Sequence, residues 1–159
     1  MLSVERSIPY PLRGQPPTVD EALAQKLRAI YADTKTIAVV GASADEAKAA
    51  HQIPRYLQAQ GYRVIPVNPR GGTILNEPVA TSLAEIHEPV DVVDVFRPSA
   101  ETPEVARQAV AIGAKVLWLQ EGIMSDEAQR IAEAAGLTVV MDVCMGAAHR
   151  QLGLGPGPH

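Results

Sequence analysis

Short apolar runs that alternate with helical segments of about ten residues most narrow what this chain can fold into. The runs are Ile37-Ala38-Val39-Val40, Arg63-Val64-Ile65-Pro66-Val67, Val90 to Phe96, Val116-Leu117-Trp118-Leu119 and Thr138-Val139-Val140-Met141. Several are continuously apolar rather than alternating, so they belong in a sheet buried on both faces, the signature of parallel strands. A weaker segment at Thr73-Ile74-Leu75 is expected to supply a sixth strand. Thr102 with Pro103 opens a helix that Gly113 stops, and a helix from Ser125 to Ala135 ends at Gly136. A further short helix is expected from Cys144 to Leu152. Right-handed crossovers between such strands give one doubly wound α/β domain with a mostly parallel sheet.

The 159 residues suit a single domain at roughly 150 residues each. Residues 1–17 carry Pro9, Pro11, Gly14, Pro16 and Pro17 without periodicity and read as an extended arm. Ile8, Tyr10 and Leu12 predict that the arm packs on the domain or on a partner chain. Thr18-Val19-Asp20-Glu21 has the form of a capping box, and Val19, Leu23, Leu27, Ile30 and Tyr31 fall on one helical face. The domain is thus expected over 18–152, with a flexible tail at 153–159. A net charge of −4 argues against generic nucleic-acid and polybasic membrane binding. The apolar runs are too short to span a bilayer and the N-terminus lacks a signal-peptide core. The single cysteine, Cys144, allows no intrachain disulfide, which suits a cytoplasmic protein.

In a doubly wound sheet the ligand crevice lies beyond the carboxyl ends of the strands, where the winding reverses. The loop Gly41-Ala42-Ser43 after the first strand is the phosphate candidate, with a helix N-terminus behind it. Pro54 belongs best in a first turn, so the regular helix is expected to begin near His51, which leaves Lys48 and His51 beside the phosphates. Each has a plainer reading, Lys48 as a solvated surface lysine and His51 as a cap. His87, His149 and His159 read as exposed, Cys144 as a buried inert thiol and Trp118 as core. Asp91 and Asp94 read as capping or solvent-facing acids at a strand start.

A dinucleotide fingerprint needs further glycines after Gly41 and an acid at the end of the second strand. The next glycine is Gly61, and the second strand ends in Asn68, Pro69 and Arg70. An arginine there suits a phosphorylated ribose, as in NADP or coenzyme A, and disfavours NAD.

From Ile37 to Met145 the chain resembles the small stand-alone CoA-binding proteins, which are similar to the CoA-binding domain of the succinyl-CoA synthetase α subunit. The resemblance is carried by Val39-Val40-Gly41-Ala42-Ser43, by Tyr56-Leu57 with Gly61 to Pro69, by Val95-Phe96-Arg97-Pro98, by Trp118-Leu119-Gln120-Glu121-Gly122, and by Asp142-Val143-Cys144. It implies a Rossmann-type domain that binds coenzyme A across these loops. The phosphate turn falls on Gly41, Ala42 and Ser43, and the nucleotide end on Asn68, Pro69 and Arg70. Phe96, Arg97 and Pro98 form the switch-point loop, and Gln120 opens the loop after the fourth strong strand. Asp45 and Glu46 are compatible with a bound anion there only if they point to solvent. The expected function is non-catalytic binding of coenzyme A or an acyl-CoA. An NADP-dependent oxidoreductase and a ligand-sensing partner subunit, as homo-oligomer or bound to another protein, are the alternatives.

Overall fold

The five strong apolar runs pair as one parallel sheet, in which the second run forms one edge, the first lies beside it, and the third, fourth and fifth follow in chain order. The computed structural model describes residues 20–157. Its strands are β1 (Thr36–Val40), β2 (Arg63–Val67), β3 (Thr73–Ile74), β4 (Glu77–Pro78), β5 (Val92–Val95), β6 (Val116–Leu119) and β7 (Thr138–Val140). The helices are α1 (Glu21–Asp33), α2 (Ala49–Ala59), α3 (Thr102–Ala111), α4 (Asp126–Ala134) and α5 (Met145–Gln151). Side chains alternate across each strand, so Ile37 and Val39 face one core while Ala38 faces the other. Leu27, Ile30 and Tyr31 of α1, Leu57 of α2 and Met145 of α5 fill the first core. Val105 and Ala109 of α3, with Ala128 and Ala132 of α4, fill the second. β1 pairs with β2 on one side and β5 on the other, so the winding reverses between β1 and β5. A ligand crevice is therefore expected at their carboxyl ends.

Four local features depart from the sequence reading. The helix cap is Asp20, whose Oδ1 accepts from the Leu23 amide at 2.7 Å, a carboxylate at the positive end of α1; Thr18 and the arm lie outside the described residues. Thr73-Ile74 does not join the main sheet. It turns back at Leu75 and Asn76, with φ of 55° and 63°, and pairs antiparallel with Glu77-Pro78, the backbone of a two-residue hairpin. α2 begins at Ala49, before His51, and carries Pro54 inside it. The missing proline N–H frees the Ala50 carbonyl, and the Ser43 amide donates to that oxygen at 3.2 Å. At the other end, Leu154 packs against the first core, and the Gly157 amide donates to the Gln60 carbonyl.

Two residues expected at the surface are buried. His149 is fully buried among the rings of Tyr31, Tyr56 and Tyr62, with its Nδ1 at 2.8 Å from the Tyr56 hydroxyl. Asp94 is fully buried in mid-strand, facing Val39 and Trp118 in register. Asp91 does cap a strand: its Oδ2 accepts from the amides of Lys35 and Thr36, each at 2.9 Å. Trp118 is core as expected, its indole N–H donating to the Val143 carbonyl at 2.8 Å.

Candidate functional site

Three loops at the carboxyl ends of β1, β2 and β5 enclose a cleft of about 790 Å³. Gly41 ends β1 with a φ of +89°, and a Cβ there would lie 2.8 Å from the Phe96 carbonyl oxygen and 2.9 Å from Arg97 Cδ. Only glycine lets the first turn and the switch-point loop approach this closely. Asn68 joins the first two loops: its Nδ2 donates to the Ala42 carbonyl at 2.9 Å and its Oδ1 accepts from the Arg70 amide at 2.8 Å. The second bond is an Asx turn, which fixes the backbone that carries Arg70.

The amides of the glycine turn are largely committed inside the protein. Gly41 N–H donates to the Val67 carbonyl at 3.0 Å, and Ser43 N–H to Ala50. Ser43 Oγ accepts from the Asp45 amide at 3.0 Å, and His51 Nδ1 lies 2.8 Å from the Ser43 carbonyl oxygen. These bonds turn Asp45 and Glu46 outward, where both are exposed and neither lines the cleft. The first two amides of α2, those of Ala49 and Ala50, remain as helix-terminal donors, and Ala50 and Lys48 are both on the cleft wall.

Of the residues expected at the site, Gly41, Ala42, Ser43, Lys48, Asn68, Pro69, Arg70, Phe96 and Arg97 line this cleft. His51, Pro98 and Gln120 do not. His51 is buried and braces the Ser43 carbonyl, and exposed Pro98 starts the one-turn helix that leads into α3. Gln120 is buried beside Asp94. Its Nε2 donates to Asp94 Oδ1 and its Oε1 accepts from the Met145 amide at 3.3 Å. Burial pushes the Asp94 carboxyl up to about 7, against the Gln120 hydrogen bond that lowers it. Cys144 caps α5 through its Sγ, 3.4 Å from the Ala147 amide, and burial pushes its thiol up.

The cleft also holds residues the sequence reading passed over. Glu101, Glu104, Val105 and Gln108 form one face of the helical start after the switch-point loop, and Thr81 with Ser82 comes from the chain after β4. The 101, 104, 105, 108 spacing was available as a signal, because residues three, four and seven apart share a helix face.

Charge in the cleft is mixed. Arg97 forks onto Glu101, with Nε and Nη2 each 2.9 Å from a carboxylate oxygen, and holds the Glu101 carboxyl below the usual carboxylate range. Glu104 pairs outward with Arg107 at 2.9 Å. Among the described residues no ion pair involves Lys48 or Arg70, so two cations stand ready on the wall for an anion. Also among them, no cluster of His, Cys, Asp and Glu is placed to hold a metal ion, and no helix is long and apolar enough to cross a membrane.

The chain is thus a Rossmann-like α/β domain whose cleft, rimmed by a glycine turn and by Lys48 and Arg70, lies at the switch point where open α/β sheets bind ligands. Residues 35–150 match the family model for the CoA binding domain, and the chain belongs to that family. The uncharacterized protein YneT of Bacillus subtilis is 38% identical over 124 residues, covering 78% of this chain and 92% of that protein. A solved structure from Thermus thermophilus is 43% identical and superposes with a TM-score of 0.78, over 81% of this chain and 98% of that one. The ADP-forming acetate–CoA ligase I of Archaeoglobus fulgidus is 25% identical over 130 residues, which is 76% of this chain and 19% of the ligase. The chain thus corresponds to about a fifth of that enzyme's length.

Proposed function

We propose that this protein binds coenzyme A or an acyl-CoA in the cleft and performs no chemistry on it. The reading is carried by one observation: in a chain of the CoA-binding family, the Gly41 turn, the Asn68–Arg70 turn and the Phe96–Arg97 loop border one cleft of about 790 Å³. With the Gly41 and Ser43 amides already used, the diphosphate relies on Lys48 and the opening amides of α2. Arg70 meets the ribose phosphate, and Phe96 walls the pantetheine side. Native mass spectrometry of the protein purified from cells tests this directly. A retained mass equal to coenzyme A or an acyl-CoA is expected, whereas a retained NADP would overturn the reading.

The guanidinium of Arg70 is the discriminating group. A charge-assisted contact to phosphate is worth about 1.5–3 kcal/mol. Arg70→Ala is therefore expected to weaken coenzyme A roughly ten- to a hundredfold and to leave dephospho-CoA nearly unchanged. Equal losses for both ligands would place Arg70 elsewhere than at the ribose phosphate.

A further inference from the structure

The cleft contains an anion of its own. Glu101 and Arg97 are both part of its wall, and the Glu101 carboxylate takes both forks of the Arg97 guanidinium at 2.9 Å. The Arg97 side chain lies across the glycine turn, close enough that a Cβ on Gly41 would meet its Cδ at 2.9 Å. Arg97 is thus a cation set against the glycine turn, and a carboxylate four residues along the chain already occupies it.

We propose that Glu101 is a specificity-determining residue of the cleft: it holds Arg97 as an internal ligand and releases it only to a ligand that carries more charge than a carboxylate. The inference rests on the reading of the cleft as a coenzyme A site. A ligand carboxylate that displaced Glu101 would exchange one carboxylate–guanidinium pair for another, and the tethered carboxylate has the advantage of effective concentration. A diphosphate brings two anionic groups and several oxygens that match the planar fork of arginine, so it gains where a carboxylate breaks even. The Arg97–Glu101 pair is about half exposed on both sides, and exposed pairs of this kind are weak enough to open. Glu104, whose partner Arg107 lies 2.9 Å away, does not compete for Arg97.

Glu101→Gln keeps the size of the side chain and removes its charge. It is expected to tighten coenzyme A three- to tenfold in titration calorimetry and to leave pantetheine, which has no phosphate, unchanged. In an Arg97→Ala background the same substitution should have no effect, because the internal pair is gone. If Glu101→Gln tightens binding equally with and without Arg97, the carboxylate acts by plain repulsion and the proposal is overturned. It is also overturned if the wild-type protein binds coenzyme A and Glu101→Gln binds no more tightly, while the site reading stands. Binding by Glu101→Gln alone would support the internal competitor, whereas no binding by either protein would sink both readings.

Discussion

Replacing Gly41 with valine is expected to abolish coenzyme A binding and to destabilise the domain by about 2–4 kcal/mol. Two costs add. A β-branched residue is strained at a φ of +89°, and its Cβ would press on the Phe96 carbonyl oxygen at 2.8 Å. That oxygen cannot easily withdraw, because the Phe96 amide is tied to the Val40 carbonyl at 2.9 Å. The switch-point loop would be pushed off the glycine turn, and Arg97 with it. Gly136→Val supplies the control: Gly136 has a φ of +91° and no atom within 4 Å of its Cβ position. It carries the backbone strain without the collision, so thermal unfolding of the two variants separates the terms. Equal losses of stability, with coenzyme A binding intact in both, would mean that the close approach at Gly41 has no role.

The second large effect is on pH dependence. The Asp94 carboxyl is raised to about 7 in the folded protein, against an ordinary value of 3.8, mainly because burial penalises its charged form. A group whose folded value is raised contributes stability that is complete below its unfolded value and is lost as pH rises through the folded one. Stability should therefore decline between about pH 4 and pH 7, by up to about 1.4 kcal/mol per pH unit where the difference in bound protons is greatest. The facing groups supply no counter-charge, since Tyr31 of α1 and Cys144 at the start of α5 are themselves held neutral, and the Gln120 hydrogen bond opposes the shift without cancelling it. Asp94→Asn should unfold at the same temperature as wild type near pH 4 and at a clearly higher one at pH 8. Parallel melting curves across this range would show that Asp94 is not the titrating group.

Most of the architecture was legible because parallel strands announce themselves as uninterrupted apolar runs and helix ends announce themselves by Pro103, Gly113 and Gly136. The failures share a cause, which is that the deciding partner is distant in sequence. Asp94 in a valine strand looks like a boundary until Gln120 is brought beside it. His149 in the last turn of a short helix looks solvated until Tyr31, Tyr56 and Tyr62 close around it from elsewhere in the chain. Thr73-Ile74 has strand composition, but its turn is made by Leu75 and Asn76 at positive φ, without the glycine that marks such turns. At the candidate site the glycine turn and both following loops were foreseen. The acidic wall at the start of α3 was not, because acids such as Glu101 and Glu104 are common in any helix's first turn. Lys48 lines the cleft as the N-cap of α2, although the helix begins two residues earlier than Pro54 suggests.

Titration calorimetry of the wild-type protein with coenzyme A, dephospho-CoA, NADP and NAD tests most directly whether this cleft selects coenzyme A by its nucleotide end. Coenzyme A should bind most tightly, dephospho-CoA roughly ten- to a hundredfold more weakly for want of the phosphate that meets Arg70, and NAD weakest of the four. NADP binding more tightly than coenzyme A, or no binding by coenzyme A at all, would contradict the account.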